Sequence, residues 1–169
     1  VYYSPYDGQI HNGYMYTDNG FWDTFRAVHP LFTLVYPEVS ERIMQSIVNA
    51  YSESGFMPEW ASPGHRGCMI GNNSLLTDAW MKGIRTFDKD KALEAMLNQT
   101  RARSEEISSV GRDGYAEYDR LGYVPYPEVH EATAKTLEYA YADWCLARFA
   151  EETGHQEVAA EYYKKAQNY

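Results

Sequence analysis

The stretch EATAKTLEYAYADWCLARFAEETG, residues 131–154, decides the fold class. Leu137, Ala140, Tyr141, Trp144, Cys145 and Phe149 recur at three- and four-residue intervals, the spacing that lines up side chains on one face of an α-helix. No proline interrupts the run, and Gly154 stands where a helix end favours a residue tolerant of left-handed backbone. A helix over 131–152 with a continuous apolar stripe is therefore expected.

The same reading extends in both directions. Downstream, Val158, Ala159, Tyr162, Tyr163 and Ala166 mark the buried side of a helix over 156–167. Upstream, a helix over 21–35, capped by Asp18 or Asn19, carries Phe25, Val28, Leu31, Phe32 and Val35 at helical spacing. Pro37 then opens a helix over 38–53, with Val39, Ile43, Met44, Ile47 and Tyr51 on one face and Gly55 as its stop. A third helix, capped by Asn73 or Ser74, turns Leu76, Ala79, Trp80 and Ile84 inward. A fourth begins near Asp88 or Asp90 and carries Ala92, Leu93, Met96 and Leu97, while its polar continuation over 101–106 reads equally as helix or irregular chain. A strand pattern is confined to 1–3 and 123–124.

These six helices make an all-α chain whose connections alternate between short turns and long, aromatic, Pro- and Gly-containing loops. In an up-down succession every second connection lies at the same end, so the three long loops share one face. Three helical hairpins with all elaborate loops on one rim are about half of a six-hairpin α/α toroid. Alone, they leave two apolar flanks open. The rival architecture is a tetratricopeptide-like helical repeat acting as a non-catalytic interaction module, suggested by Ala140, Trp144, Ala147, Ala159, Tyr162 and Ala166. Unequal helix pairs and non-repeating loops argue against it, because true repeats keep a fixed period.

Composition narrows the function. A net charge of −9 opposes phosphate backbones and anionic lipid, and the longest basic run is Lys164-Lys165, so neither nucleic acid nor a membrane surface is an expected partner. No stretch reaches the roughly 18 apolar residues of a membrane span. Cys68 and Cys145 have apolar neighbours and no metal-ligand spacing, and both read as buried free thiols. No HExxH, CxxC, phosphate-loop or GxSxG pattern is present. The 16 Tyr, 6 Phe and 4 Trp are many for a helical chain, and ring faces at loops suit the C–H faces of sugars.

The candidate site follows from the loops. Trp22 and Asp23, with Arg26 one turn on, offer a stacking face, an acceptor pair for vicinal hydroxyls and a donor fork. The alternative is that Asp23 caps its helix and pairs with Arg26. In the second loop Glu59 and Trp60 repeat the acid-plus-indole pairing beside His65, with Pro58 and Pro63 shaping the backbone. Here the alternative is an ion pair of Glu59 with Arg66 or His65. His130 and Glu131, at the end of the third loop, read as ordinary helix-start polarity.

Five collinear blocks, GFWDTFR at 20–26, MPEW at 57–60, CMIG at 68–71, GYVP at 122–125 and TLEYAYADWCLA at 136–147, resemble the catalytic domain of glycoside hydrolase family 92. The resemblance covers nearly the whole chain. It implies an exo-acting, inverting α-mannosidase with an α/α toroid, normally preceded by a β-sandwich domain, and a Ca2+ ion at the mannose hydroxyls. It also implies an exported bacterial enzyme, periplasmic or extracellular, acting on mannose-containing glycans. Inversion needs an acid at the departing oxygen and a base roughly 6.5–9.5 Å away that activates water. The family's Tyr-x-Glu-Gly-Asn and Gly-Asn-Asp blocks, which supply acid and base, do not occur here, so no catalytic residue is assigned within the chain. The 169 residues are expected to be one segment of the toroid, inactive by itself, with the sandwich and the remaining helices outside it and the calcium ligands outside it too. Trp22, Asp23, Arg26, Glu59, Trp60 and His65 are the expected lining of the mannose pocket.

Overall fold

The computed structural model describes residues 1–16, 20–58, 72–101 and 111–169. Among the described residues a small hairpin, β1 (Tyr2–Tyr3) and β2 (Ile10–His11), precedes eight helices. These are α1 (Phe21–Thr24), α2 (Val28–Val35), α3 (Pro37–Ser54), α4 (Asn72–Met81), α5 (Lys89–Arg101), α6 (Tyr115–Leu121), α7 (Ala132–Glu152) and α8 (Gln156–Lys165).

Helix signals that rest on Pro and Gly are obeyed. Pro37 occupies the first turn of α3, where its missing N–H costs nothing, and Gly55 ends that helix in left-handed backbone at φ 78°. Asp88 starts α5 by accepting the backbone N–H groups of Asp90 and Lys91 at 3.1 and 2.9 Å. The core lies between α3, α4, α5, α7 and α8, around Met44, Ile47, Leu76, Met96, Leu146 and Phe149. Phe87 and Phe149 stack there and Trp80 meets both edge-on, with centroids 5.5–6.3 Å apart.

Long-range hydrogen bonds fix the directions of the helices. Gln45 accepts from Asp88 N–H, Tyr51 donates to Glu94, and Asn98 donates to the Gly55 carbonyl, so α3 and α5 run parallel. Asn73 donates to the Ala142 carbonyl and Thr77 to that of Cys145, so α4 and α7 run parallel too. The chain therefore enters α4 and α7 at the same end, which is also the end where α3 and α5 finish. The shared rim expected from alternating connections is present in the described helices. The hairpin partners differ in length, 8 and 18, 10 and 13, 21 and 10 residues, which is incompatible with a repeat of fixed period.

Five expectations need correction. The helix over 21–35 is two helices, because a turn at 25–27, with Ala27 at φ −144°, breaks it. That break lets His29 turn inward between Phe21 and Phe32, with ring centroids 5.8 and 5.9 Å away. Burial without a hydrogen-bond partner among the described residues pushes the His29 imidazole down to about 4, so it packs as a neutral ring. The expected inward face of α2 is consequently turned out, with Val28, Leu31 and Val35 exposed. Gly20, not Asp18 or Asn19, is the N-cap of α1.

The third loop holds a helix of its own, α6. It is held by the second, smaller core of Tyr118, Val124, Val129, Ala132 and Tyr139. Gly114 is required there, because at φ 70° a Cβ would stand 2.9 Å from Val129. Last, the expected stripe on α7 is divided. Ala140, Cys145 and Phe149 are buried, but Leu137, Tyr141 and Trp144 are 52%, 41% and 47% exposed. The face packed inward instead carries Asp143, 0% exposed, which pairs with Arg112 at 2.6 Å. Tyr118 donates to the other Asp143 oxygen at 3.2 Å, and the Arg112 guanidinium lies 4.7 Å from the Tyr139 ring centroid.

Candidate functional site

The site begins with a four-residue helix. Phe21 is buried against His29, and this anchor forces the next two side chains of α1 to the other side. Trp22 is 40% exposed and Asp23 is exposed. The helix has no side-chain cap. Its first carbonyl, that of Gly20, accepts from Thr24 N–H and from the Thr24 hydroxyl at 3.2 and 3.1 Å. Asp23 thus does not act as the cap, and among the described residues no side chain holds its carboxylate. An indole and a free carboxylate side by side at a helix end can stack on a sugar ring and accept from two adjacent hydroxyls.

Arg26 behaves differently from its two neighbours. The turn at 25–27 carries it away from Asp23, and its ion pair is with Glu138 of α7, at 3.9 Å. The guanidinium also lies over the Phe25 ring, 4.7 Å from its centroid, and Phe25 in turn meets Tyr141 at 6.0 Å. Both contacts join the first loop to the start of α7, so the first and third loops lie on one rim. The Arg26–Glu138 pair joins an exposed arginine to a half-buried glutamate and contributes little stability, about 0–1 kcal/mol. What it provides is a donor fork and a second carboxylate where the first loop meets α7.

Glu59, Trp60 and His65, and Cys68 with them, lie outside the described residues, as does the chain over 102–110. Cys145 is buried, and burial pushes its thiol up to about 12, which makes it inert at neutral pH. Glu131 is more than helix-start polarity: it is the N-cap of α7 and sits in left-handed backbone at φ 57°, which non-glycine residues rarely adopt. His130 next to it is exposed.

Two groups escape a reading by sequence. Glu138 could not be matched to Arg26, since nothing in the spacing links residues on different helices. Asp7, His11 and Glu53 come together at the end of α3, and among the described residues they are the one group of three side chains able to hold a metal ion. The signal for half of it was local: Asp7 and His11 flank a Gly8 turn between two short aromatic segments.

The described chain is thus a set of helical hairpins whose first and third loops meet on one rim, with Trp22 and Asp23 exposed there. Residues 1–169 match the glycosyl hydrolase family 92 catalytic domain, and the chain belongs to that family. Among solved structures it is similar to a family 92 inverting mannosidase from Bacteroides thetaiotaomicron VPI-5482, with 78% identity and a TM-score of 0.95. That match covers 100% of this chain and 23% of the other. A second family 92 α-mannosidase from Bacteroides thetaiotaomicron, in complex with mannoimidazole, is 34% identical with a TM-score of 0.83, over 95% of this chain and 21% of that one. The chain therefore spans about a quarter or less of the length of these relatives. No curated protein matches it.

Proposed function

We propose that this chain is one side of the mannose pocket in an inverting exo-α-mannosidase, and that the rest of the pocket is built by further helices of the same domain. The observation that carries this reading is the pairing of exposed Trp22 with the free carboxylate of Asp23 on the rim, in a chain 78% identical to an inverting mannosidase. In the proposed pocket Trp22 stacks on the pyranose and Asp23 accepts from vicinal hydroxyls. Arg26, held by Glu138, donates to a ring substituent. Glu59, Trp60 and His65 line the same pocket from the second loop. None of these acts as acid or base. Those roles fall to carboxylates on chain beyond this segment, which is inactive by itself.

The exposed apolar flanks support this assembly. Tyr141, Trp144 and Tyr163 border two adjoining grooves of about 680 and 630 Å³ along α4, α7 and α8. Rings along such grooves suit burial by neighbouring helices, as in a closed α/α toroid. An N-terminal β-sandwich and export to the periplasm or beyond are part of the same proposal, and no described helix is long and apolar enough to cross a membrane.

The family's Ca2+ ion does not fit the described residues. Calcium takes six to eight oxygens, whereas the one candidate group here includes an imidazole, so no step runs through calcium on this chain. Its ligands belong to the remainder of the domain.

The test is the anomer released from a terminal α-mannoside by the intact enzyme that contains this segment. NMR should detect β-mannose first, and the 169-residue chain should release none. α-Mannose as first product, or turnover by the segment, would overturn the reading.

A further inference from the structure

We propose that Asp7, His11 and Glu53 form a site for a divalent transition-metal ion, with zinc as the type. It is independent of the mannose pocket reading. One ligand atom from each residue lies within 4.8 Å of the other two. The fold delivers them from two directions. The β1–β2 hairpin, paired Tyr2 to His11 and Tyr3 to Ile10, brings Asp7 from its turn and His11 from its second strand. The last turn of α3 brings Glu53.

Each ligand is oriented by a second contact. Asp7 Oδ1 accepts the Gln9 backbone N–H at 2.8 Å, which aims Oδ2 at His11 Nε2, also at 2.8 Å. Glu53 Oε1 accepts from the Tyr2 hydroxyl, and Tyr2 stacks on His11 with centroids 5.7 Å apart. Metal-ligating side chains are commonly fixed by such outer partners.

The decisive atom is Glu53 Oε2, which is buried and has no hydrogen-bond partner among the described residues. A hairpin fastened only by the Asp7–His11 pair accounts for two of the three side chains and leaves this oxygen unexplained. A buried carboxylate oxygen without a donor is destabilising, and a cation removes that cost. Two carboxylates and a neutral imidazole carry a formal charge of about −2, which a divalent ion neutralises.

One nitrogen and two oxygens suit zinc better than calcium, since a hard cation gains little from imidazole. Ligand bonds of about 2.0–2.1 Å in a tetrahedron put ligand atoms roughly 3.3 Å apart, so His11 and Asp7 need only separate slightly. On binding, Nε2 gives its proton to water and Nδ1 takes one from water, leaving a neutral ring that ligates through Nε2. Asn49 and Ser52 line the same polar cavity, about 370 Å³, which leaves room for a water as the fourth ligand. The bound ion ties the hairpin to the end of α3, ahead of the first loop of the rim.

The test is calorimetric titration with Zn2+ of the chelator-treated intact enzyme that contains this segment, held in millimolar Ca2+, with each variant beside its parent. One saturable site that Ca2+ does not occupy is expected in the parent. Outer-partner changes already weaken such sites roughly 10–100-fold, so Asp7→Asn and His11→Gln should each weaken binding at least tenfold. Both side chains lie on the exposed hairpin, and circular dichroism checks that the variants fold. Thermal unfolding probes the same site independently: zinc should raise the melting temperature of the parent and leave that of Glu53→Gln unchanged. Absence of saturable binding, or variants that bind zinc like the parent, would overturn the proposal.

Discussion

The two faces of α7 invert the usual distribution of polarity. Its inward face buries a charge, Asp143, against Arg112, Tyr118 and Tyr139, while its outward face exposes Leu137, Tyr141 and Trp144. The inner arrangement is complete within the chain: the carboxylate has an arginine and a phenol, and the arginine also donates to the Tyr139 carbonyl at 3.2 Å. The outer one is half-open apolar surface, met by Phe25 at Tyr141. Hydrophobic spacing says only that a face prefers burial. What buries it is decided elsewhere, and here the answers differ for the two sides of one helix.

The inner face is the more sensitive. Breaking a buried pair leaves its partner charged and desolvated, so Asp143→Ala should cost about 3–5 kcal/mol in urea unfolding of the chain. A loss under about 1 kcal/mol would mean that Arg112 finds water or another acceptor. The outer face should respond in the opposite way. Trp144→Ala in the 169-residue chain should change stability by no more than about 0.5 kcal/mol, as exposed substitutions do. In the intact enzyme the same change should destabilise by several kcal/mol, because there the ring fills a seam. Equal effects in both contexts would remove the distinction between the faces.

The parts of this fold that were legible in the sequence were those written in local stereochemistry. Pro37, Gly55, Asp88 and Gly154 mark boundaries because each acts on its own backbone. The break at 25–27 was not legible, since Phe25, Arg26 and Ala27 are all compatible with helix and the turn exists to bury His29. Nor was α6, whose seven residues are too few to show a period, although Gly114 and Gly122 at its two ends are a readable pair of left-handed positions. Asp143 amid apolar neighbours was a signal of a buried partner, but Arg112, 31 positions away, could not be chosen from sequence.

Of the candidate site, the exposure of two side chains was legible. Trp22 and Asp23 stand exposed on the rim, as their place at the start of a helix after a long loop implied. The Asp23–Arg26 pairing, which needs an unbroken helix, is replaced by Arg26–Glu138. The collinear blocks led to the family, and the family match covers every residue.

The measurement that bears most directly on the pocket is the kinetics of Asp23→Ala in the intact enzyme on a terminal α-mannoside. Loss of charged hydrogen bonds worth about 1.5–3 kcal/mol predicts a fall in kcat/KM of roughly ten- to a hundredfold, with stability within about 1 kcal/mol of the parent. An unchanged kcat/KM, or a variant that fails by unfolding, would contradict the assignment of Asp23 to the sugar.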